Sequence, residues 1–208
     1  MKITCISDTH GFHNNLDKLA GDLIIHAGDI SKRGTKNEVI DFINWFSSLD
    51  FEYKIFIAGN HDFFLEEAIE YELQEIIPDN VIYLNDSGIT INNINIWGSP
   101  IQPWFHDWAF NRQRGEDIKK HWDLIPNSTD ILVTHGPPYK ILDKTIHNQY
   151  VGCQDLLNKV LLVKPNIHIF GHIHESYGQK IVKETQFINA SVLDERYKLV
   201  NEVVEIIY

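Results

Sequence analysis

Cysteine is scarce in this sequence: Cys5 and Cys153 are the only two among 208 residues, and each lies inside apolar sequence. That fits a reducing cytoplasm better than secretion, with one disulfide between the two left open. Long apolar runs are also missing. None approaches the roughly 20 residues that a membrane span needs, and the opening stretch "MKITCISDTHG" has no apolar signal segment. A cytoplasmic protein without membrane contact is therefore expected. Positive charge is short as well: 18 Lys and Arg stand against 29 Asp and Glu, for a net charge of -11. A field of that sign repels phosphate backbones, so stable binding to DNA or RNA is not expected. Acidic side chains can ligate metals, so a small phosphate-bearing substrate stays open. No Pro/Gly/Ser-rich linker, charge run or repeat interrupts the chain. With 43% hydrophobic residues, a single domain over 1–208 can bury a substantial core. Oligomeric state is not legible at this level.

What is present is an alternation of short apolar runs and amphipathic segments. "KITCIS", "DLIIHAG", "KIFIAG", "DILVTHG" and "NIHIFGHIH" read as strands. "NNLDKLA" reads as a short helix, and Lys36 to Leu49 carries apolar residues at helical spacing. "FFLEEAIEYELQEI" reads as one long helix stopped before Pro78, and "CQDLLNKVLLV" as another. A further helix is expected around Ile118 to Trp122. "VIYL", "GITI" and "INIWGS" lie close together and are expected to pair antiparallel. "QKIVKETQFINAS" and "LVNEVVEII" read as two final strands. The order predicts an α/β domain with mixed sheets covered by helices.

The polar oddities fall at the carboxyl ends of these strands. Asp8 and His10 follow the first, Asp29 the second, and Asn60, His61 and Asp62 the third. His135 follows "DILVT", and His172 and His174 follow "NIHIFG". Ligand sites in open α/β sheets lie beyond such strand ends. Each piece has an ordinary explanation, since Asp opens helices and Gly-Asp is common in turns. All five in order, each after an apolar run, point to one shared site. If "GHIH" is extended, His172 and His174 share a face. Asp8, His10, Asp29, Asn60, His135, His172 and His174 make seven oxygen or imidazole ligands without a thiolate. Seven suit two ions sharing a carboxylate, and the donor types suit manganese, iron or zinc. Calcium is disfavoured by so much histidine.

The series "DTH", "GD", "GNHD", "H" and "GHIH" resembles the calcineurin-like metallophosphoesterase superfamily. "YLNDSGITINNINIWGSPIQPWF", "WAFNRQRGE", "THGPP", "FGHIHESYG" and "INAS" are similar to its subfamily of metallophosphoesterase-domain proteins known from animals, which hydrolyse cyclic nucleotides and related phosphodiesters. The resemblance implies a four-layer α-β-β-α sandwich of two mixed sheets flanked by helices. It implies a hydrolase of small phosphodiesters that acts by attack of metal-bound hydroxide on two divalent ions. It further implies that Asp8, His10 and His174 hold one ion, Asn60, His135 and His172 the other, and that Asp29 bridges them. His61 would meet the leaving group, with Asp62 orienting it. Two readings compete: a phosphomonoesterase or protein phosphatase of the same superfamily, and a metal-dependent binding or scaffold protein without turnover.

Physical chemistry supports these roles. Two cations about 3.5–4 Å apart clamp phosphoryl oxygens and lower the pKa of a shared water toward about 7. A carboxylate beside an imidazole favours the protonated form that donates to a leaving oxygen. In the aromatic loop, Trp104, Phe105, Trp108 and Phe110 either cap the core or form a wall for a base. Asn111 and Arg114 are candidates for phosphate or base contact. His26 and His168 are expected to pack within strands, and His13, His106, His121 and His147 to lie on the surface or in loops.

Overall fold

A computed structural model describes residues 1–208. The first sheet contains β1 (Lys2–Ile6), β2 (Leu23–Ala27), β3 (Tyr53–Ile57) and β4 (Ile82–Tyr83), with β13 (Val204–Ile207) at its other edge. Its order is β13-β1-β2-β3-β4, parallel except for the antiparallel β13–β1 pair. The second sheet is built from β5 (Ser87–Ile91), β6 (Ile94–Ser99), β9 (Ile131–Thr134), β10 (Ile167–Phe170), β11 (Gly178–Val182) and β12 (Thr185–Asn189). Its order is β11-β12-β10-β9-β6-β5, with an antiparallel hairpin at each edge and parallel pairs between. A small ribbon pairs β7 (Gln102–Pro103) with β8 (Asn111–Arg112).

Alternation along the central strands explains the layering. Ile3, Cys5, Ile25, Ile55 and Ile57 meet Ile96, Ile131, Val133, Ile169 and Ile188 in one buried cluster between the sheets. The intervening residues Ile24, Phe56, Leu132, Phe170 and Phe187 turn outward and are covered by helices. Helix α1 (Lys36–Ser48) buries Val39, Phe42, Ile43 and Phe46, one apolar stripe. It starts at a capping box, where Glu38 N–H donates to Thr35 Oγ1 and Thr35 N–H donates to the Glu38 carboxylate. Helices α4 (Glu116–Asp123) and α5 (Gln154–Val163) cover the second sheet with Trp122, Leu156 and Val160. The architecture is thus two mixed sheets between helical layers, as expected.

Several local expectations differ. "NNLDKLA" forms no α-helix: a 3-10 turn, His13–Asn15, overlaps only its start, and the chain is already extended at Leu16. The long helix after Gly59 is two, α2 (Phe63–Glu67) and α3 (Glu70–Ile76). Ala68 and Ile69 between them are extended, and Glu72 supplies a fresh start at Ile69. "VIYL" pairs parallel with β3, and only β5 and β6 form the antiparallel hairpin. "QKIVKETQFINAS" holds two strands, not one. Cys5 and Cys153 are both free and lie in separate buried clusters. No helix is long and apolar enough to cross a membrane.

Candidate metal centre

The two sheets meet at the carboxyl ends of β1, β2, β3, β9 and β10. There Ser7 pairs with Ser191 across the sheets, Asp8 N–H donates to Gly28 O, and Gly171 N–H donates to His135 O. Asp8, His10, Asp29, Asn60, His135 and His174 are all buried at this junction. His61 and His172 are half-buried at its rim. The backbone is unusual where the side chains converge. Asp8, His10, Asp29 and His172 have φ of 56°, 41°, 55° and 69°, the left-handed region that such residues enter at a cost. Two glycines make the approach possible. A Cβ at Gly171 would overlap the carboxylate of Asp8, and one at Gly59 would overlap that of Asp29.

The imidazoles are anchored in the same way. Nδ1 donates to a backbone carbonyl in His10 (Ser31 O, 3.1 Å), His135 (Ala27 O, 3.0 Å), His174 (Asp194 O, 2.9 Å) and His61 (Lys32 O, 2.9 Å). Each contact fixes the tautomer and leaves Nε2 as the free atom. The Nε2 atoms point at oxygens. His10 and His135 each lie 3.5 Å from Asp29 Oδ2, and His174 lies 3.4 Å from Asp8 Oδ1. His135 Nε2 also lies 2.9 Å from Asn60 Oδ1. Three groups of ligand atoms result: Asp8, His10 and His174; Asp8, Asp29 and His135; and His10, Asp29 and His61, each within 4.8 Å. His172 joins none of them, but its ring packs on His135 at 5.0 Å between centroids. His10 and His174 rings are likewise neighbours at 5.4 Å.

The donor set fits divalent cations. His10 Nε2 is buried with no hydrogen-bond partner, and the site presents lone pairs to lone pairs with no Lys or Arg among them. Only a shared proton or a cation makes such an approach favourable. The proton affinities show the tension. Burial opposes charge on His135 and His174, yet the carboxylates of Asp29 and Asp8 outweigh it and raise both to about 9. Burial likewise resists ionisation of Asp8 and Asp29, but the facing imidazoles hold both well below the ordinary range. Burial pushes His10 down to about 4, against the pull of Asp29.

Two sequence readings need correction. His172 and His174 do not share a face of an extended strand. β10 ends at Phe170, His172 is left-handed, and His174 opens a 3-10 turn. The turn lets His172 N–H donate to both Asp8 oxygens, at 3.1 and 3.0 Å, which an extended run would not allow. Asp62 makes no hydrogen bond to the His61 ring. Its carboxylate accepts from Gly59 N–H (2.7 Å), Ile30 N–H (3.2 Å), Ser31 N–H (3.0 Å) and Ser31 Oγ (2.6 Å). It joins the loops after β2 and β3, and burial, then repulsion from Asp29, raises it to about 6.

Other groups escaped the sequence reading. Ser191 Oγ donates to Asp8 Oδ2 at 2.7 Å, and Ser191 N–H donates to Asn189 Oδ1 at 3.2 Å. Trp108 packs on His61 at 4.3 Å. His13 is fully buried against Phe42 and Trp45, not at the surface. His26 and His168, as expected, are packed in their strands, on Thr9 and Thr134 hydroxyls. Phe110 is buried, whereas Trp104 and Phe105 are exposed. They line a cavity of about 430 Å³ that also touches His172, Arg114, Tyr150 and Gly136. Arg114 donates to the carbonyls of Gly152 (3.0 Å) and Val151 (2.8 Å). The Asn111 amide donates to Phe105 O and His106 O, pinning the aromatic loop.

Known proteins place this arrangement in a family. Residues 1–176 match the model of the calcineurin-like phosphoesterase family. The chain is 42% identical over 223 residues to metallophosphoesterase domain-containing protein 1 of Homo sapiens, covering 96% of this chain and 68% of that protein. It is 37% identical to a UPF0046 protein of Caenorhabditis elegans, covering 98% of this chain and 59% of the relative. A solved chain with 15% identity superposes with a TM-score of 0.64 over 90% of this chain and 89% of its own length, a likeness of fold. This chain belongs to the calcineurin-like phosphoesterase family.

Proposed function

We propose that this chain is a single-domain, metal-dependent phosphoesterase that cleaves small phosphodiesters, with a cyclic nucleotide as the favoured substrate type. The observation that carries this reading is the convergence of buried carboxylate, amide and imidazole lone pairs at five strand ends. In this reading Asp8, His10 and His174 hold one divalent transition ion, and Asn60, His135 and His172 hold a second. Asp29 serves both. The neighbouring rings His10–His174 and His135–His172 support that division. Manganese suits the set, with iron or zinc as alternatives. Such ions, when bound, supply Lewis acidity to phosphoryl oxygens and acidify water.

The protein supplies orientation and a proton. Backbone carbonyls fix the ligand tautomers, and Ser191 and the His172 N–H hold Asp8 in place. His61 stands on Lys32 O through Nδ1, so Nε2 is the atom that gives a proton to the leaving oxygen. Asp62 is a positioning residue, because it fixes the backbone that presents His61 and Asp29. The aromatic cavity beside His172 favours a diester, whose second substituent needs somewhere to sit. Trp104, Phe105 and Tyr150 offer stacking faces to a base, with the Arg114 guanidinium on the cavity wall and Asn111 holding the loop. Two free buried cysteines support a cytoplasmic setting.

A substrate panel on manganese-reconstituted protein tests the reading. Cyclic nucleotides and nitrophenyl diesters are expected to turn over faster than nitrophenyl monoesters or phosphopeptides. A preference for the last two would make it a monoesterase or protein phosphatase. Full metal loading without turnover of any substrate would make it a binding or scaffold protein.

A further inference from the structure

Tyr197 has no counterpart among the ligands or the proton donor, yet it stands on both ligand imidazoles of one half-site. Its ring lies 4.9 Å from that of His10 at 64° and 5.5 Å from that of His174 at 67°, both edge-on. Its backbone is left-handed, with φ of 58°, which is unfavourable for a bulky aromatic residue. A tight turn enforces that conformation. Asp194 Oδ1 accepts from the N–H groups of Arg196 (2.9 Å) and Lys198 (2.8 Å), and Tyr197 N–H donates to Asp194 O at 2.9 Å. The same Asp194 carbonyl takes the Nδ1 proton of His174. One turn therefore orients a ligand and displays a phenol beside it.

Tyr197 is 42% exposed at the rim of the site, so its polar tip is open to an incoming ligand. Its hydroxyl has no hydrogen-bond partner within the protein. A strained turn holding an unpartnered donor at the mouth of a lone-pair-rich site is the arrangement expected of a group waiting for an external acceptor. We propose that Tyr197 is a catalytic residue in direct contact with substrate: its ring closes one side of the site over His10 and His174, and its phenol donates a hydrogen bond to a non-bridging phosphoryl oxygen. This rests on the phosphoesterase reading of the site.

Tyr197→Phe keeps the ring and removes only the donor. In manganese-loaded protein it should retain wild-type metal content and melting temperature. Its kcat/KM for a nitrophenyl diester should fall roughly 10- to 100-fold, the range for a hydrogen bond to a charged group. Inhibition by inorganic phosphate should weaken in parallel, which a purely structural role for the ring would not produce. Tyr197→Ala should show at least the same loss. A Tyr197→Phe enzyme with unchanged kcat/KM and unchanged phosphate inhibition overturns the proposal, as does one that has lost its metal. A wild-type protein that neither hydrolyses a phosphoester nor binds phosphate instead overturns the reading of the site itself.

Discussion

At the scale of single residues, the centre depends on which ring nitrogen each histidine leaves free. Four imidazoles give Nδ1 to backbone carbonyls, and three of the resulting Nε2 atoms face carboxylate oxygens. His61 differs in its rim position and its stacking on Trp108. His61→Ala is therefore expected to leave metal content unchanged while slowing hydrolysis of alkyl and nucleoside esters by roughly 10²–10⁴. Nitrophenyl esters, whose leaving oxygen needs little protonation, should lose much less. Steady-state rates across a leaving-group series check this, and an equal loss at every leaving group would remove the proton-donor role. The identities of these residues were legible from their places after apolar runs, because a strand's end is visible in sequence. The partners that fix them were not. Ser31, Ser191 and Asp194 act on residues 20 to 183 positions away, and no local pattern marks such pairs.

At the scale of elements, α1 and the central strands were legible from periodicity and alternation, since burial of a stripe or a face leaves that trace. The break between α2 and α3 was not, because apolar spacing runs through Ala68 and Ile69 without a Gly or Pro. The turn after β10 was misread for a similar reason. "GHIH" has the alternation of a strand, and its left-handed step is dictated by the N–H contact between His172 and Asp8. Gly171 is the residue that permits it, as a side chain there would strike both Ser7 and Asp8. Gly171→Ala should therefore displace Asp8, reduce metal content and destabilise the fold by roughly 1–3 kcal/mol, the usual range for overpacking. Elemental analysis and urea unfolding of the variant measure the two effects. Unchanged values in both would show that the close approach is not required.

At the scale of the whole molecule, two sheets pack through one shared core and bring five strand ends to one edge, so core and site are stabilised together. Stability should respond to acid through a histidine held neutral on the other face of the second sheet, beside Phe170 and Phe187. Burial lowers His168 to about 3, below its ordinary value of 6.5. As pH falls through 6.5 the unfolded chain takes up a proton that the folded chain refuses. The stability contributed by the neutral ring is full above that pH and is lost progressively down to about 3. The slope is about 1.4 kcal/mol per pH unit. His168→Gln should be flatter by that amount between roughly pH 6 and 4 in urea titrations, and a parallel profile would contradict the assignment. The central proposal is that divalent ions held by the side chains gathered at these strand ends make this chain a phosphoesterase. Its most direct test is diesterase activity followed while metal-stripped protein is titrated with manganese, with bound metal measured at each point. Activity should start near zero and rise to a plateau at two bound ions per chain. Full activity in protein shown by elemental analysis to hold no metal would contradict the account.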